Sequence, residues 1–231
     1  MSLDTLKPKV AELIEKARSG GGGVEELENL WYTISGNWTA MPSGFRNAQV
    51  EILPKMDYSK ITSLSYAFSL MPLKRVEHYL NTEKCTNFNT AFGGCSQLEY
   101  VKGINLASAT FVNACFSNCT ALKTIEEPFD YSYLSINSAE TSIHLFNNTT
   151  ALETIRVIPE SIKKNFILAH TSVLTPESIQ SIIDGLATVE TAQTLTLNAN
   201  LKILQSQVDN ANAKGWTVAG GTVVSEEEYY G

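Results

Sequence analysis

The pattern that most constrains this chain is a phenylalanine that recurs with the same neighbours. Four segments line up on it: 67-AFSLMPLKRV-76, 91-AFGGCSQLEYV-101, 115-CFSNCTALKTI-125 and 145-LFNNTTALETI-155. Phe68, Phe92 and Phe116 are each 24 residues apart, and Phe146 follows after 30, so six residues are inserted within 126-EEPFDYSYLSINSAE-140. A leucine stands six after the anchor as Leu98, Leu122 and Leu152, and five after it as Leu73. Three residues later comes Val76, Val101, Ile125 or Ile155. The first copy is therefore one residue short, near Pro72.

Each copy reads as a turn carrying the aromatic anchor, then a short strand beginning at the leucine. One copy has too little apolar surface to stand alone. Stacked copies bury continuous columns of Phe, then Leu, then Val or Ile. The strands would pair in parallel, about 4.8 Å apart. The expected fold is α/β: a repeat solenoid with short parallel strands.

Met71, Cys95, Cys119 and Thr149 share the position three after the anchor. In a regular stack the two cysteines would be about 5 Å apart, within disulfide range. A redox or metal pair would fit that distance, but so would a ladder of small packed side chains, because free Cys packs as a small hydrophobe. Met71 and Thr149 extend the ladder and favour packing. Cys115 takes the alanine position of the "AF" pair, and Cys85 matches Ile61 and Ala109, so both are expected in the core. No cysteine spacing gives a C-x-x-C zinc or redox pattern.

The unit "AF..C..L..I", with strand and proline in 122-LKTIEEP-128 and 152-LETIRVIP-159, resembles the BspA-type leucine-rich repeats of bacterial surface and phage-associated proteins. The resemblance covers about residues 45–160. It implies a leucine-rich-repeat solenoid, a bacterial surface or prophage setting, and contact with protein or a host cell surface. Here Asn118 and Asn147, within N-x-S/T sequences, read as turn residues rather than glycan acceptors.

Three segments follow from these patterns. Residues 1–23 combine a heptad seam (Leu3, Leu6, Val10, Leu13, Ala17) with the linker 19-SGGGG-23, and residues 3–18 are a candidate for homo-oligomer assembly. Residues 24–170 hold the repeats. Residues 171–231 form a C-terminal cap over the open edge of the stack. In the cap, Thr175 can N-cap a helix with Pro176 in its first turn. Ile179, Ile182, Ile183 and Leu186 keep helical spacing, 194-TLTLN-198 alternates as a strand, Leu201, Leu204 and Val208 mark a second helix closed by Gly215, and 216-WTVAGG-221 alternates again. This segment resembles the C-terminal piece of gut-bacterial and prophage repeat proteins.

A net charge of −7 and the absence of a basic run argue against nucleic acid as a partner. No segment reaches the ~18 consecutive apolar residues of a membrane helix, and the charged start lacks the form of a secretory signal. His78, His144 and His170 share no motif with a nucleophile or a second ligand, so no catalytic, metal or cofactor residue is assigned. The candidate site is the open sheet face. Residues flanking each inward Val or Ile should point outward: Arg75 and Glu77, Tyr100 and Lys102, Thr124 and Glu126, Thr154 and Arg156. The expectation is a non-enzymatic binding protein using that face for protein or cell-surface recognition. The alternative is a structural virion or assembly component with an inert face.

Overall fold

The computed structural model describes residues 51–53 and 55–230, together with residues 39, 40 and 46. The heptad at 3–18 and the linker lie outside the described residues. The described chain is α/β, with parallel strands in small sheets and few helices. The strands are β1 (Arg75–Leu80), β2 (Tyr100–Ile104), β3 (Thr124–Ile125), β4 (Ser142–Ile143), β5 (Asn165–Leu168), β6 (Gln193–Leu197), β7 (Lys202–Leu204), β8 (Trp216–Ala219) and β9 (Thr222–Val224). The helices are α1 (Ser132–Asn137), α2 (Pro176–Gly185), α3 (Gln205–Ala213) and α4 (Glu226–Tyr230).

The order β1-β2-β3 forms one parallel sheet, with Arg75 opposite Tyr100 opposite Thr124, and Val76 opposite Val101 opposite Ile125. Isolated parallel bridges extend it, Ile52 to Arg75 on one side and Thr124 to Thr154 on the other. These strands begin two residues after the leucine, not at it. At the leucine the backbone is still turning: Leu98 N–H donates to the Cys95 carbonyl and Leu122 N–H to that of Cys119. A second parallel sheet runs β4-β5-β6-β8, and β7 pairs with β9.

The four anchors form one column. Ring centroids lie 5.1 Å apart for Phe68 and Phe92, 5.4 Å for Phe92 and Phe116, and 5.9 Å for Phe116 and Phe146, with all three pairs stacked. The leucines and the Val/Ile set behind them are all buried. The six-residue insertion does not interrupt the column. It carries α1 and delivers Phe129, whose ring sits 6.5 Å from both Phe116 and Phe146, and Tyr131, which meets Phe166 edge-on.

The turns have their own register. The residue two after the anchor has positive φ in every copy: Leu70, Gly94, Asn118 and Asn148. Two before the anchor, Tyr66, Thr90 and Ala114 do the same. The left-handed asparagines are thus Asn118 and Asn148, not Asn147, and the Asn148 amide donates to Asn118 Oδ1 at 2.9 Å. Gly94 fits for a second reason: a Cβ there would lie 2.5 Å from Leu70 Cδ2. Leucine, by contrast, adopts this backbone at a steric cost.

A hydroxyl ladder marks one more rung than the four aligned copies. Thr110 Oγ1 donates to the Thr86 carbonyl, Thr86 Oγ1 to Thr62, and Thr62 Oγ1 to Thr39 at 2.7 Å. In sequence, Thr39 stands six before Phe45, as Thr62, Thr86 and Thr110 stand six before their anchors.

The β1–β3 stack ends under a helix. Thr175 caps α2 as expected, its Oγ1 accepting from Ser178 N at 3.2 Å. Ser178 Oγ donates to the Glu153 carbonyl and accepts from Ile155 N–H, while Ser181 Oγ accepts from Val157 N–H. Two serines one turn apart thus stand in for the next strand. Ser178→Ala leaves the buried Ile155 N–H unpaired, while the Glu153 carbonyl keeps its bond from Thr175 N–H, and should cost about 1–2 kcal/mol in denaturant unfolding. A loss below about 0.5 kcal/mol would mean water replaces the serine freely. The second helix differs from expectation. Leu201 precedes β7 and Leu204 ends it, and α3 starts at Gln205, because Lys202, Ile203 and Leu204 are held by pairing to Thr222, Val223 and Val224.

Candidate functional site

Alternation along β1–β3 turns Val76, Val101 and Ile125 into the core and leaves their neighbours on the open face. Backbone register puts Arg75, Tyr100, Thr124 and Thr154 in one row. Glu77, Lys102, Glu126 and Arg156, two residues further on, also lie outside the core. Most of these side chains meet. The Arg75 guanidinium lies 4.3 Å from the Tyr100 ring centre and donates to Glu77. Tyr100 Oη and Lys102 Nζ donate to the two oxygens of Glu126, and Lys102 also reaches Glu127 at 3.4 Å. The arrangement joins residues of β1 and β2 with the two glutamates that follow β3.

The electrostatics follow from these bonds. Lys102, then Tyr100, holds the Glu126 carboxyl below its ordinary value, with the Arg156 charge adding to the same effect. In return, Glu126 raises Lys102 and Tyr100, and the bond to Glu77 raises Arg75. Thr124 and Thr154 pair through their backbones. Tyr79 and Glu127 were not foreseen. Tyr79 is offset by an extra residue in β1, and its ring comes to lie over Gly103, where a Cβ would sit 3.0 Å from Tyr79 Cδ2 and 2.7 Å from Glu127 Cβ. Glycine two after Val101 was the available signal.

The cysteines are free and buried. They are not inert filler, however. Cys95 Sγ donates to the Phe68 carbonyl at 3.0 Å, Cys119 Sγ to Phe92 at 3.1 Å, and Thr149 Oγ1 to Phe116 at 2.8 Å. Each rung thus ties to the anchor carbonyl of the rung before it, which explains why threonine can replace cysteine here. Among the described residues no group of three His, Cys, Asp or Glu could hold a metal ion. His78 lies in β1 and His144 beside Phe146, its carbonyl accepting from Ala114, while His170 lies between β5 and α2. Among the described residues no helix is long and apolar enough to cross a membrane.

No protein-family model, curated protein or solved structure matches this chain.

Proposed function

We propose that this chain is a non-enzymatic binding protein built as a leucine-rich-repeat solenoid, with the β1–β3 face recognising protein or a cell surface. The observation carrying this reading is the linked row of Arg75, Tyr100, Lys102 and Glu126 on strands backed by a stacked core. Side chains held this way lose little further freedom on binding, which favours affinity from many modest contacts. Tyr and Arg at the centre of such a face are the residue types that most often dominate binding energy. The BspA-type resemblance adds the setting: a bacterial surface adhesin or a prophage tail-associated protein.

The test replaces Tyr100, Lys102 and Arg156 together with alanine and measures binding of the purified protein to bacterial and host cells. The expected result is at least a tenfold weaker association with an unchanged unfolding curve. Unchanged binding ends the recognition-face reading. A second reading has its own support. The charges on this face already neutralise one another, Lys102 with Glu126 and Arg75 with Glu77. That suits an inert face on a structural virion or assembly component, and unchanged binding in the triple variant is the result that reading expects.

A further inference from the structure

Charge on the β1–β3 face is ordered as well as balanced. Between each buried leucine and the row of Arg75 and Tyr100 stands one further exposed charge: Lys74, Glu99, Lys123 or Glu153. Their backbones are joined rung to rung. Glu99 N–H donates to the Lys74 carbonyl at 2.8 Å, Lys123 N–H to Glu99 at 2.9 Å and Glu153 N–H to Lys123 at 2.9 Å. This column reads plus, minus, plus, minus. Three residues further along each rung, Glu77, Lys102, Glu126 and Arg156 read minus, plus, minus, plus. The two columns form a checkerboard, with about 4.8 Å between rungs and about 10 Å across. Attraction between neighbouring rungs explains the alternation within a column. Lys74 with Glu51 at 2.7 Å and Lys102 with Glu126 are such pairs. It does not explain why the two columns run in opposite phase, and it leaves charges unspent. Among the described residues, Lys123 and Glu153 make no side-chain hydrogen bond or ion pair, and Glu99 and Arg156 act on Arg75 and Glu126 through their charge alone.

We infer that this face pairs with the same face of a second copy of the chain, about a two-fold axis running along the stack between the columns. A two-fold placed there sets each rung opposite itself and each column opposite the other column. Lys74 then meets Glu77 of the second copy, Glu99 meets Lys102, Lys123 meets Glu126 and Glu153 meets Arg156, each contact made twice. Columns in phase would bring like charges together on every rung. With Arg75 and Glu127 included the signs on the face cancel, in a chain of net charge −7. A strongly charged partner has little to hold here, whereas two acidic copies that repel elsewhere can approach through this face. Arg75 and Tyr100 lie between the columns, so the axis runs beside the residue types that most often carry binding energy. Exposed ion pairs are individually weak, and four rungs make a small contact, so the charges set register and choice of partner more than affinity. The inference rests on this face being a recognition surface, and it names the partner.

The test is sedimentation velocity of the full chain over a concentration series. At about 50 mM salt a monomer–dimer equilibrium is expected, with a dissociation constant on the order of 100 μM, weakened about tenfold at about 0.5 M salt. Glu153→Lys and Arg156→Glu should each weaken the dimer about tenfold, because each sets like charges across the axis twice, and the two together should restore it. Both side chains are exposed, so the fold is kept. The proposal is overturned if no dimer forms, if the dimer is indifferent to salt, if it survives both single reversals, as one held by residues 3–18 would, or if the double variant stays monomeric. Cell binding is read separately. A salt-sensitive dimer with cell binding unchanged in the Tyr100/Lys102/Arg156 variant supports self-association and removes only the cell-surface reading. Cell binding lost in that variant, with no dimer in the parent, keeps the recognition face and overturns the second copy as its partner.

Discussion

Phe116→Ala should destabilise the protein by about 4–5 kcal/mol, enough to consume much of the stability of an ordinary domain. The size follows from position. Phe116 is fully buried and meets three rings, Phe92, Phe129 and Phe146, two of them stacked. Truncation removes the transfer energy of the ring, leaves a cavity between two rungs and breaks two stacked pairs worth about 0.5–1.5 kcal/mol each. The neighbours cannot close the gap by sliding together. Hydrogen bonds from Phe92 N to Cys115 O and from Phe116 N to Leu145 O fix the rung spacing. Phe116→Leu keeps most of the volume and should cost about 1–2 kcal/mol, which isolates the stacking contribution. Urea unfolding followed by tryptophan fluorescence measures both. A Phe116→Ala loss under about 1.5 kcal/mol would mean the column is not the core.

That column was legible in the sequence because repetition multiplies a weak signal. One Phe followed by Leu and Val says little, but four in register predict buried neighbours, and Leu98, Leu122, Val101 and Ile125 are all buried. The open face was legible for the same reason, since alternation assigns Arg75, Tyr100 and Lys102 outward once Val76 and Val101 point in. What escaped depends on partners far along the chain. The donor role of Cys95 and Cys119 needs the carbonyl of an anchor 27 residues earlier, and no local pattern names it. Ser178 reads as an ordinary first-turn residue of α2 until the helix docks on Glu153 and Ile155. Leu201 and Leu204 suit a helix by spacing, yet β9 captures the segment between them as a strand. The bulge at Glu77–His78 left no mark on the leucine and valine spacing that set the register. Thr39 is a different case: its spacing to Phe45 repeats the later copies and was there to be read.

Alkaline pH should unfold the protein through its thiols. The ordinary thiol value is 9.0, and burial pushes Cys85 and Cys95 up to about 12. Cys115 and Cys119 are raised by the same burial, with neighbouring cysteines adding to it. Between 9 and 12 the unfolded chain therefore loses thiol protons that the native state keeps, so the unfolded state binds fewer protons and stability falls as pH rises. Below about pH 8 this contribution is fully retained. Each thiol costs about 1.4 kcal/mol per pH unit above its unfolded value, so by pH 10.5 four of them remove about 8 kcal/mol, the scale of a whole domain's stability. The repeats themselves supply the control. Ala109 stands where Cys85 does, Ala91 where Cys115 does, and Thr149, donating to the Phe116 carbonyl, where Cys95 and Cys119 do. A variant with Cys85→Ala, Cys95→Thr, Cys115→Ala and Cys119→Thr should therefore fold at neutral pH. Burial also raises Tyr58 and Tyr131 in both proteins, and the lesser contribution of Cys115 to Tyr131 is lost along with the thiols in the variant. Circular dichroism from pH 7 to 11.5 under reducing conditions should then place the variant's midpoint about one pH unit or more above the parent's. Coincident midpoints would mean that the buried thiols do not set the alkaline limit.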